Sequence, residues 1–170
     1  MKLHWSPKSP YVRKVMVCAH ELGLAHRIEL VRSVAAMLRP NECLMVDNPL
    51  SKIPTLVLDD GSALFDSVVI CEYLDTLAGG GHLFLAHPAV KWQALRWHAL
   101  GDGLIDLLIL WRNEREREAP LARLLSAFDL KARAVLRLLD QEAAQLEQAP
   151  FAIGHITIAC ALSYLDYRLH

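Results

Sequence analysis

The chain has 170 residues, of which 54% are hydrophobic and 22% are charged, and this composition is typical of a folded globular protein and excludes a disordered one. Lysine plus arginine number 18 and aspartate plus glutamate number 19, so the formal net charge of −1 offers no general attraction to nucleic acid or an anionic membrane. The first residues, MKLHWSPKSP, lack an apolar signal segment, and no stretch is apolar over the length of a membrane span. We therefore expect a cytoplasmic protein without nucleic-acid or membrane partners.

The first third of the chain alternates short strands with a helix. Lys2–Trp5 is short and extended, and apolar residues recur with helical spacing after Pro10. Gly23 ends this helix at a place that favours positive φ. Ile28–Val31 is predicted as the second strand, and 33–47 as a loop with one or two helical turns.

A hairpin and a helix follow. Two extended stretches, Thr55–Leu58 and Ala63–Phe65, flank an Asp-Gly turn, which is a hairpin signal. Asp66-Ser67 opens the next helix. Its inner face is predicted to carry Val69, Ile70, Tyr73, Leu74 and Leu77. The predicted order is therefore βαβ followed by ββα.

The second half reads as helical throughout. Three consecutive glycines after Ala78 mark a linker. Beyond it we predict a long helix over Lys91–Asn113, a second along the apolar stripe from Leu121 to Leu146, and a third from near Ile156 to His170. This pattern is typical of a helical bundle.

Cysteines and charge runs add little chemistry. The four cysteines form no CxxC pair and no zinc-like spacing with histidine, so we expect reduced, buried thiols and no metal site. The neighbours of Cys18, Cys71 and Cys160 are apolar, as burial requires. The alternating charges of Arg112–Glu118 indicate a solvated helix end or loop.

Three motifs together resemble the cytosolic glutathione transferase family, in its serine-type, bacterial-like form. They are SPYVRKV at the first helix, NPLSKIPTL with the DDG hairpin after it, and FDSVVICEYL, which matches the family pattern Glu/Asp-Ser-x-x-Ile. The resemblance spans nearly the whole chain. It implies a thioredoxin-like α/β domain (βαβ-ββα, a four-stranded mixed sheet) followed by an all-α helical bundle.

The resemblance also implies a domain plan: a glutathione-binding domain over 1–77, a linker over 78–87 and a helical domain over 88–170. Family members continue beyond this point with further helices, so we expect a helical domain shortened at its end, in which glutathione binding survives better than turnover. Thr157 fits the first position of the family's Ser/Thr-x-x-Asp helix cap, but Cys160 stands at the Asp position.

The implied ligand is glutathione as a co-substrate, with no metal. Ile53 would pair its backbone with the cysteinyl part, as an added strand does, next to Pro54 as a structural cis-proline. Lys52 would contact the glycyl or cysteinyl region. Asp66 would hold the γ-glutamyl ammonium and Ser67 its carboxylate, since helix N-termini attract anions. Taken alone, Lys52 reads equally as a surface lysine and Ser67 as a helix cap.

The catalytic candidate is Ser9, which is also a candidate glutathione-binding residue. A thiol of pKa about 8.5 is mostly protonated at neutral pH, and the thiolate is the nucleophile. A hydroxyl at the positive end of a helix favours that anion. In the serine-type members the serine lies four or five residues before an Arg-x-Val or Arg-Val sequence, and Ser9 precedes Arg13 by four. Ser6, seven residues before it, is the alternative, with the spacing of the zeta-like members.

The family's electrophile pocket lies between the domains, and its residue for the glycyl carboxylate would come from 39–47. The pocket candidates in this chain are Trp5, Pro7, Tyr11, Leu107 and Trp111. For Trp111 alone, core packing is the simpler reading.

The implied reaction is glutathione conjugation to a small apolar electrophile, by a homodimer formed through the first long helix and the edge of the first domain. A glutathione-dependent isomerase or dehalogenase is an alternative. A non-catalytic binding or regulatory module of the same fold is another. A glutaredoxin-like thiol oxidoreductase is disfavoured, because Cys18 lies well inside the first helix and not at its head.

Overall fold

Four short strands form one mixed sheet. The computed structural model describes residues 1–169, and the chain divides into two units between Phe84 and Leu85. The strands of the first unit are β1 (Lys2–Trp5), β2 (Glu29–Arg32), β3 (Thr55–Val57) and β4 (Ala63–Leu64). Their order is β2-β1-β3-β4, with β1 parallel to β2 and antiparallel to β3, and with β3 antiparallel to β4. This sheet confirms the predicted fold class.

Three helices complete the first unit: α1 (Pro10–Glu21), α2 (Glu42–Met45) and α3 (Ser67–Leu77), with a short 3₁₀ helix at Ala25–Arg27. Helices α1 and α3 pack against each other. The fully buried side chains here are mainly aliphatic: Leu3, Val15, Leu44, Leu56, Ile70 and Leu74. Burial of this kind contributes ~1.5–3 kcal/mol for each large side chain.

The inner face of α3 differs from the prediction. Val69 is 44% exposed and Leu77 is 36% exposed, so both were placed on the wrong face. The buried residues are Ser67, Ile70, Cys71, Leu74 and Asp75. They follow the spacing i, i+3, i+4, i+7 and i+8 counted from the first helical residue, which is the stripe of an amphipathic helix.

The glycine run after α3 is an ordered turn. Gly79, Gly80 and Gly81 all have positive φ, at 111°, 78° and 77°, which side-chain-bearing residues rarely adopt. The buried carboxylate of Asp75 accepts hydrogen bonds from the backbone N–H groups of Gly81 (2.8 Å), His82 (3.1 Å) and Leu83 (2.7 Å). The turn is therefore tied back onto the last turn of α3.

The second unit is helical: α4 (Pro88–Arg115), α5 (Ala122–Gln141), α6 (Ala143–Gln148) and α7 (Ile153–Arg168). The apolar stripe predicted as one helix is broken at Glu142 into α5 and α6. The predicted third helix was to end at His170, which lies outside the described residues. Glu114, predicted to be solvated, is buried at the end of α4 and accepts from Leu121 N–H (2.7 Å).

Two glycines let α4 and α7 approach closely. A Cβ atom at Gly101 of α4 would lie 2.8 Å from the side chain of Thr157 and 2.9 Å from the α7 backbone. A Cβ atom at Gly154 of α7 would lie 2.7 Å from the carbonyl oxygen of Ala94 and from Cβ of Trp97. Neither position has room for a side chain, so this helix pair requires glycine at both.

Helix α7 begins earlier than predicted. Its N-cap is Ala152, and the Nδ1 atom of His155 accepts a hydrogen bond from the Ala152 N–H (3.1 Å). Thr157 is inside the helix, where its hydroxyl donates to the carbonyl of Ile153 (2.8 Å). The prediction that Thr157 caps the helix is therefore wrong, because the imidazole of His155 and the close packing of Gly154 start the helix one turn sooner.

Two further predictions concern the burial of the cysteines and the absence of a membrane span. Cys18, Cys71 and Cys160 are buried, but Cys43 is exposed on α2, so the expectation of burial fails for that one. Among residues 1–169, no helix combines the length and the apolar character needed to cross a membrane.

Candidate functional site

The strand register brings three loops to one edge of the sheet. His4, near the end of β1, lies opposite Thr55 at the start of β3, and Leu56 of β3 lies opposite Leu64 of β4. The turn after β1, the loop before β3 and the start of α3 therefore all leave the sheet at the same edge. These segments hold Ser6–Ser9, Lys52–Pro54 and Asp66–Ser67, which together we call the loop edge.

Ser9 is the N-cap of α1, as its position before Pro10 predicts. Its Oγ accepts a hydrogen bond from the N–H of Val12 (3.2 Å), and Pro10 occupies the first helical turn. A hydroxyl that accepts in this way retains its own proton for donation. Ser6 lies in the preceding turn, where its carbonyl accepts from the N–H of Ser9 (3.2 Å) and its Oγ from the N–H of Lys8 (3.4 Å).

Side-chain hydrogen bonds hold the loop before β3 in shape. The amide of Asn48, which is buried, donates to the carbonyl of Lys52 (3.2 Å) and to Oγ1 of Thr55 (2.9 Å). Its Oδ1 accepts from the N–H of Leu50 (3.0 Å), and Thr55 Oγ1 donates to the same Lys52 carbonyl (2.9 Å). The Ile53–Pro54 peptide is cis. Lys52 is exposed and Ile53 is half-buried.

The start of α3 is capped by an aspartate. Oδ1 of Asp66 accepts from the N–H of Val68 (2.9 Å), so Asp66 is the N-cap and Ser67 is the first helical residue. The simple reading of Ser67 as the capping group is therefore wrong. Ser67 is buried at the N-terminal end of the helix, where the free backbone N–H groups and the helix dipole favour an anion.

On the sheet face away from the hydrophobic core, His4 links β1 to two distant residues, and this link was not predicted from the sequence. The two ring nitrogens of His4 bind Oγ of Ser33 (2.7 Å, Nδ1) and Oδ2 of Asp47 (2.8 Å, Nε2). Leu3 is buried in the core, and His4 points the other way because side chains alternate along a strand. A polar residue between apolar strand neighbours was the only signal, and its partners lie 29 and 43 residues away.

The pocket candidates fall in both units. Trp5 is half-buried at the end of β1, Pro7 is exposed in the following turn, and Tyr11 is half-buried in the first turn of α1. Leu107 and Trp111 are half-buried on α4. The structure thus describes each side chain within its own unit, and their role in one pocket stays a prediction.

The carboxyl groups with a lowered pKa lie away from the loop edge. The N-terminal ammonium, which binds Asp59 at 2.8 Å, lowers the pKa of Asp59 in the hairpin turn. Hydrogen bonds from Ser62 lower the pKa of Asp60 in the same turn. In the part of the chain that the structure describes, no group of three or more histidine, cysteine, aspartate or glutamate residues is placed to hold a metal ion.

A family model and a solved structure both match this chain. The model of the glutathione S-transferase N-terminal domain matches residues 8–77. A crystal structure of a glutathione transferase family member from Pseudomonas fluorescens Pf-5, with bound glutathione, is 42% identical with a TM-score of 0.93; the match covers 99% of this chain and 83% of that one.

Two further relatives are similar over the same span. A crystal structure of a glutathione S-transferase from Methylobacillus flagellatus KT, with GSH bound, is 35% identical with a TM-score of 0.82, over 98% of this chain and 83% of that one. The uncharacterized GST-like protein YibF of Escherichia coli K12 is 29% identical over 174 residues, which is 99% of this chain and 83% of YibF.

Proposed function

The chain belongs to the glutathione transferase family, and we propose that it binds glutathione at the loop edge and stabilises the glutathione thiolate for attack on a small apolar electrophile. The observation that carries the proposal is the strand register, since it gathers a helix-capping serine, the Ile53–Pro54 loop and the head of α3 at one edge. Glutathione bound to the relative from Pseudomonas fluorescens supports it.

The γ-glutamyl end of glutathione suits the head of α3. Its carboxylate would meet the N-terminal N–H groups and the hydroxyl of Ser67, which the cap does not use. Asp66 accepts from Val68 through one oxygen, so its other oxygen is available to the ammonium. The ammonium is thus matched by a carboxylate, and the ligand carboxylate by hydrogen-bond donors one residue further along.

The peptide part of glutathione suits the loop before β3. An extended ligand can add main-chain hydrogen bonds to Ile53 as a further strand would. Lys52 is exposed beside it and offers a positive charge to the glycyl or cysteinyl carbonyls or carboxylate. The loop is ordered by Asn48 and Thr55, so little conformational entropy is lost on binding.

Ser9 is the proposed catalytic residue. Its proton is free to donate to sulfur while its oxygen caps α1, and the positive end of the helix adds to the stabilisation of the anion. The thiolate then forms a bond to the electrophilic carbon, and the leaving group departs with the bonding pair. Ser6, three residues earlier, is the alternative donor.

The remaining parts of the proposal concern setting and assembly. We propose Trp5, Pro7 and Tyr11 of the first unit as residues that meet an apolar electrophile, with Leu107 and Trp111 of α4 as the candidates in the second unit. We also propose a cytoplasmic homodimer. A glutathione-dependent isomerase or dehalogenase would use the same binding groups. A non-catalytic binding or regulatory module would have the same fold but would not bind glutathione.

Calorimetric titration of glutathione tests the proposal. The wild type should bind glutathione, and Ser67→Ala should weaken binding about tenfold, because a hydrogen bond to a charged group is lost. The matched control is Ser62→Ala, a serine in the β3–β4 turn at the opposite end of the hairpin, which should leave the Kd unchanged. If the wild type does not bind at millimolar glutathione, the proposal of a glutathione-dependent enzyme is contradicted and the non-catalytic module is favoured.

A further inference from the structure

A pair of adjacent residues joins α2 to the sheet on the face opposite the hydrophobic core. Asp47 binds His4 of β1, and its neighbour Asn48 binds Thr55 of β3. His4 and Thr55 are themselves directly opposite each other in the β1–β3 register, so their side chains share one face. We call these four residues, with Ser33, the polar clamp.

The polar clamp contacts the backbone beside Ile53, where the proposed function places the peptide part of glutathione. Asn48 and Thr55 both bind the carbonyl of Lys52, which is the residue before Ile53. Ser51 Oγ accepts from the N–H of Asn41, the N-cap of α2, at 2.8 Å. Helix α2 and the loop that follows it therefore form one hydrogen-bonded piece.

Between this piece and β1 runs the histidine link. The Asp47 carboxylate has no proton to give, so Nε2 of His4 donates to it at 2.8 Å. Nδ1 faces Ser33 Oγ at 2.7 Å, and the same oxygen lies 3.3 Å from the carbonyl of Val31. The Ser33 hydroxyl can thus donate to Nδ1 of a neutral imidazole, or accept from the Nδ1–H of an imidazolium and donate to the carbonyl of Val31.

We propose that His4, acting through Asp47, is a positioning residue of the glutathione site, and that it fixes the loop 48–53 against the sheet so that Lys52 and Ile53 meet the cysteinyl-glycine half of the ligand. The inference rests on the proposed function. The γ-glutamyl half, held at Asp66 and Ser67, does not depend on the clamp, because those residues are positioned by β4 and α3.

Four variants test the clamp. His4→Phe keeps a ring in place and removes both hydrogen bonds, while Ser33 retains its contact with Val31. Asp47→Ala removes the acceptor, and Asp47→Asn keeps an oxygen that can accept from Nε2. Cys18→Ala is the stability control, since it opens a buried site on α1 away from the clamp.

Two measurements are made on each variant: the Kd for glutathione by calorimetry, and amide hydrogen exchange over residues 48–53 in the free protein. We expect His4→Phe and Asp47→Ala to raise the Kd about tenfold and to speed this exchange, as the loss of a hydrogen bond to a charged group implies. Asp47→Asn should stay within about twofold of wild type. Cys18→Ala should lower the unfolding temperature and leave both measurements unchanged.

Double variants separate the two halves of the ligand. His4→Phe with Asp47→Ala should bind no worse than either single variant, because both break one link. His4→Phe with Ser67→Ala should show the product of the two single effects, because they act on different ends of glutathione.

The outcomes are distinct. The positioning role is overturned if the wild type binds glutathione and both His4→Phe and Asp47→Ala match it in Kd and in hydrogen exchange. The proposed function is then left intact. A wild type that does not bind overturns the proposed function and this inference with it. Should His4→Phe fail to fold, the comparison of Asp47→Ala with Asp47→Asn decides the same question, because Asp47 is partly exposed.

Discussion

The hydroxyl of Ser9 can cap α1 and donate to a thiolate at the same time, and three substitutions separate these roles. Ser9→Ala should lose both, with a fall in kcat/KM of about 10- to 100-fold and a loss of ~1 kcal/mol in stability. Ser9→Asp should keep the cap and still lose activity, because a carboxylate repels the thiolate. Ser9→Thr should keep both. Conjugation rates and urea unfolding provide the measurements.

Ser6 supplies the control for this series. Ser6 caps no helix, so Ser6→Ala should leave the free energy of unfolding unchanged to within ~0.5 kcal/mol. It should change kcat/KM by no more than about twofold. If Ser9→Ala were fully active and Ser6→Ala inactive, the catalytic role would move to Ser6.

Single residues differ in how far the sequence predicts them. Ser9 was found from its place before Pro10, and the head of α3 from Asp66-Ser67, because helix starts follow local rules. The simple reading placed the cap at Ser67, whereas the N-cap is Asp66. His4 was missed, since its contacts with Ser33 and Asp47 join distant parts of the chain and leave no local pattern.

At the scale of elements, the α4–α7 pair depends on glycine at two positions and not at a third. Gly101→Ala and Gly154→Ala should each lower the free energy of unfolding by ~1–3 kcal/mol, because the added Cβ meets backbone atoms within 2.9 Å. Gly103→Ala is the matched control on the exposed face of α4, where a Cβ meets nothing within 4 Å. It should stabilise by ~0.5–1 kcal/mol through helix propensity. Urea unfolding measures all three, and a destabilised Gly103→Ala would contradict this assignment.

The joint between α5 and α6 gives a prediction on pH. Hydrogen bonds from Arg96 (2.8 and 2.9 Å) and from the indole of Trp97 (2.7 Å) lower the pKa of Glu142. A lowered pKa in the folded state stabilises the fold above the unfolded value of about 4.3, and this contribution is lost as the pH falls through the folded value. Glu142→Gln should therefore be less stable than wild type at neutral pH.

Unfolding measured from about pH 7 down to about pH 3 tests the sign. The difference between wild type and Glu142→Gln should shrink progressively below about pH 4.3. Asp140→Asn, a nearby exposed carboxyl on α5, is the control and should show no such trend. A difference that grew on acidification would contradict the role of Glu142.

Elements themselves were predicted well where the signal was local. The Asp60-Gly61 turn gave the hairpin, and Gly23 with its φ of 69° ends α1 as expected. The start of α7 was wrong by three residues, because it depends on the packing of Gly154 against α4 and on the ring of His155. Tertiary contacts of this kind override a sequence-based cap.

For the whole molecule, the proposed homodimer can be measured directly. Light scattering should give a mass of about twice the 19.1 kDa of one chain, and the unfolding temperature should rise with protein concentration. If the first long helix forms the interface, Leu110→Lys on α4 should give a monomer. Leu130→Lys, at a leucine on α5 that is more exposed than Leu110 (66% against 48%), should remain dimeric. A monomeric wild type would contradict the assembly.

The succession of elements, βαβ-ββα and then helices, was predictable from hydrophobic periodicity and glycine breaks, and the family resemblance added the mixed sheet. The family motifs then indicated where glutathione would bind. The sequence could not place Trp5 and Tyr11 relative to Leu107 and Trp111, since that depends on how two units pack and not on any local pattern.

The most direct test of the central claim is the ionisation of glutathione bound to the protein, followed by thiolate absorbance as a function of pH. We predict that the bound thiol ionises below the value of about 8.5 that a free thiol shows, and that Ser9→Ala raises its pKa toward that value while glutathione still binds. A bound thiol that ionises as free glutathione does, or one that Ser9→Ala leaves unchanged, would contradict the claim that the Ser9 hydroxyl holds the thiolate.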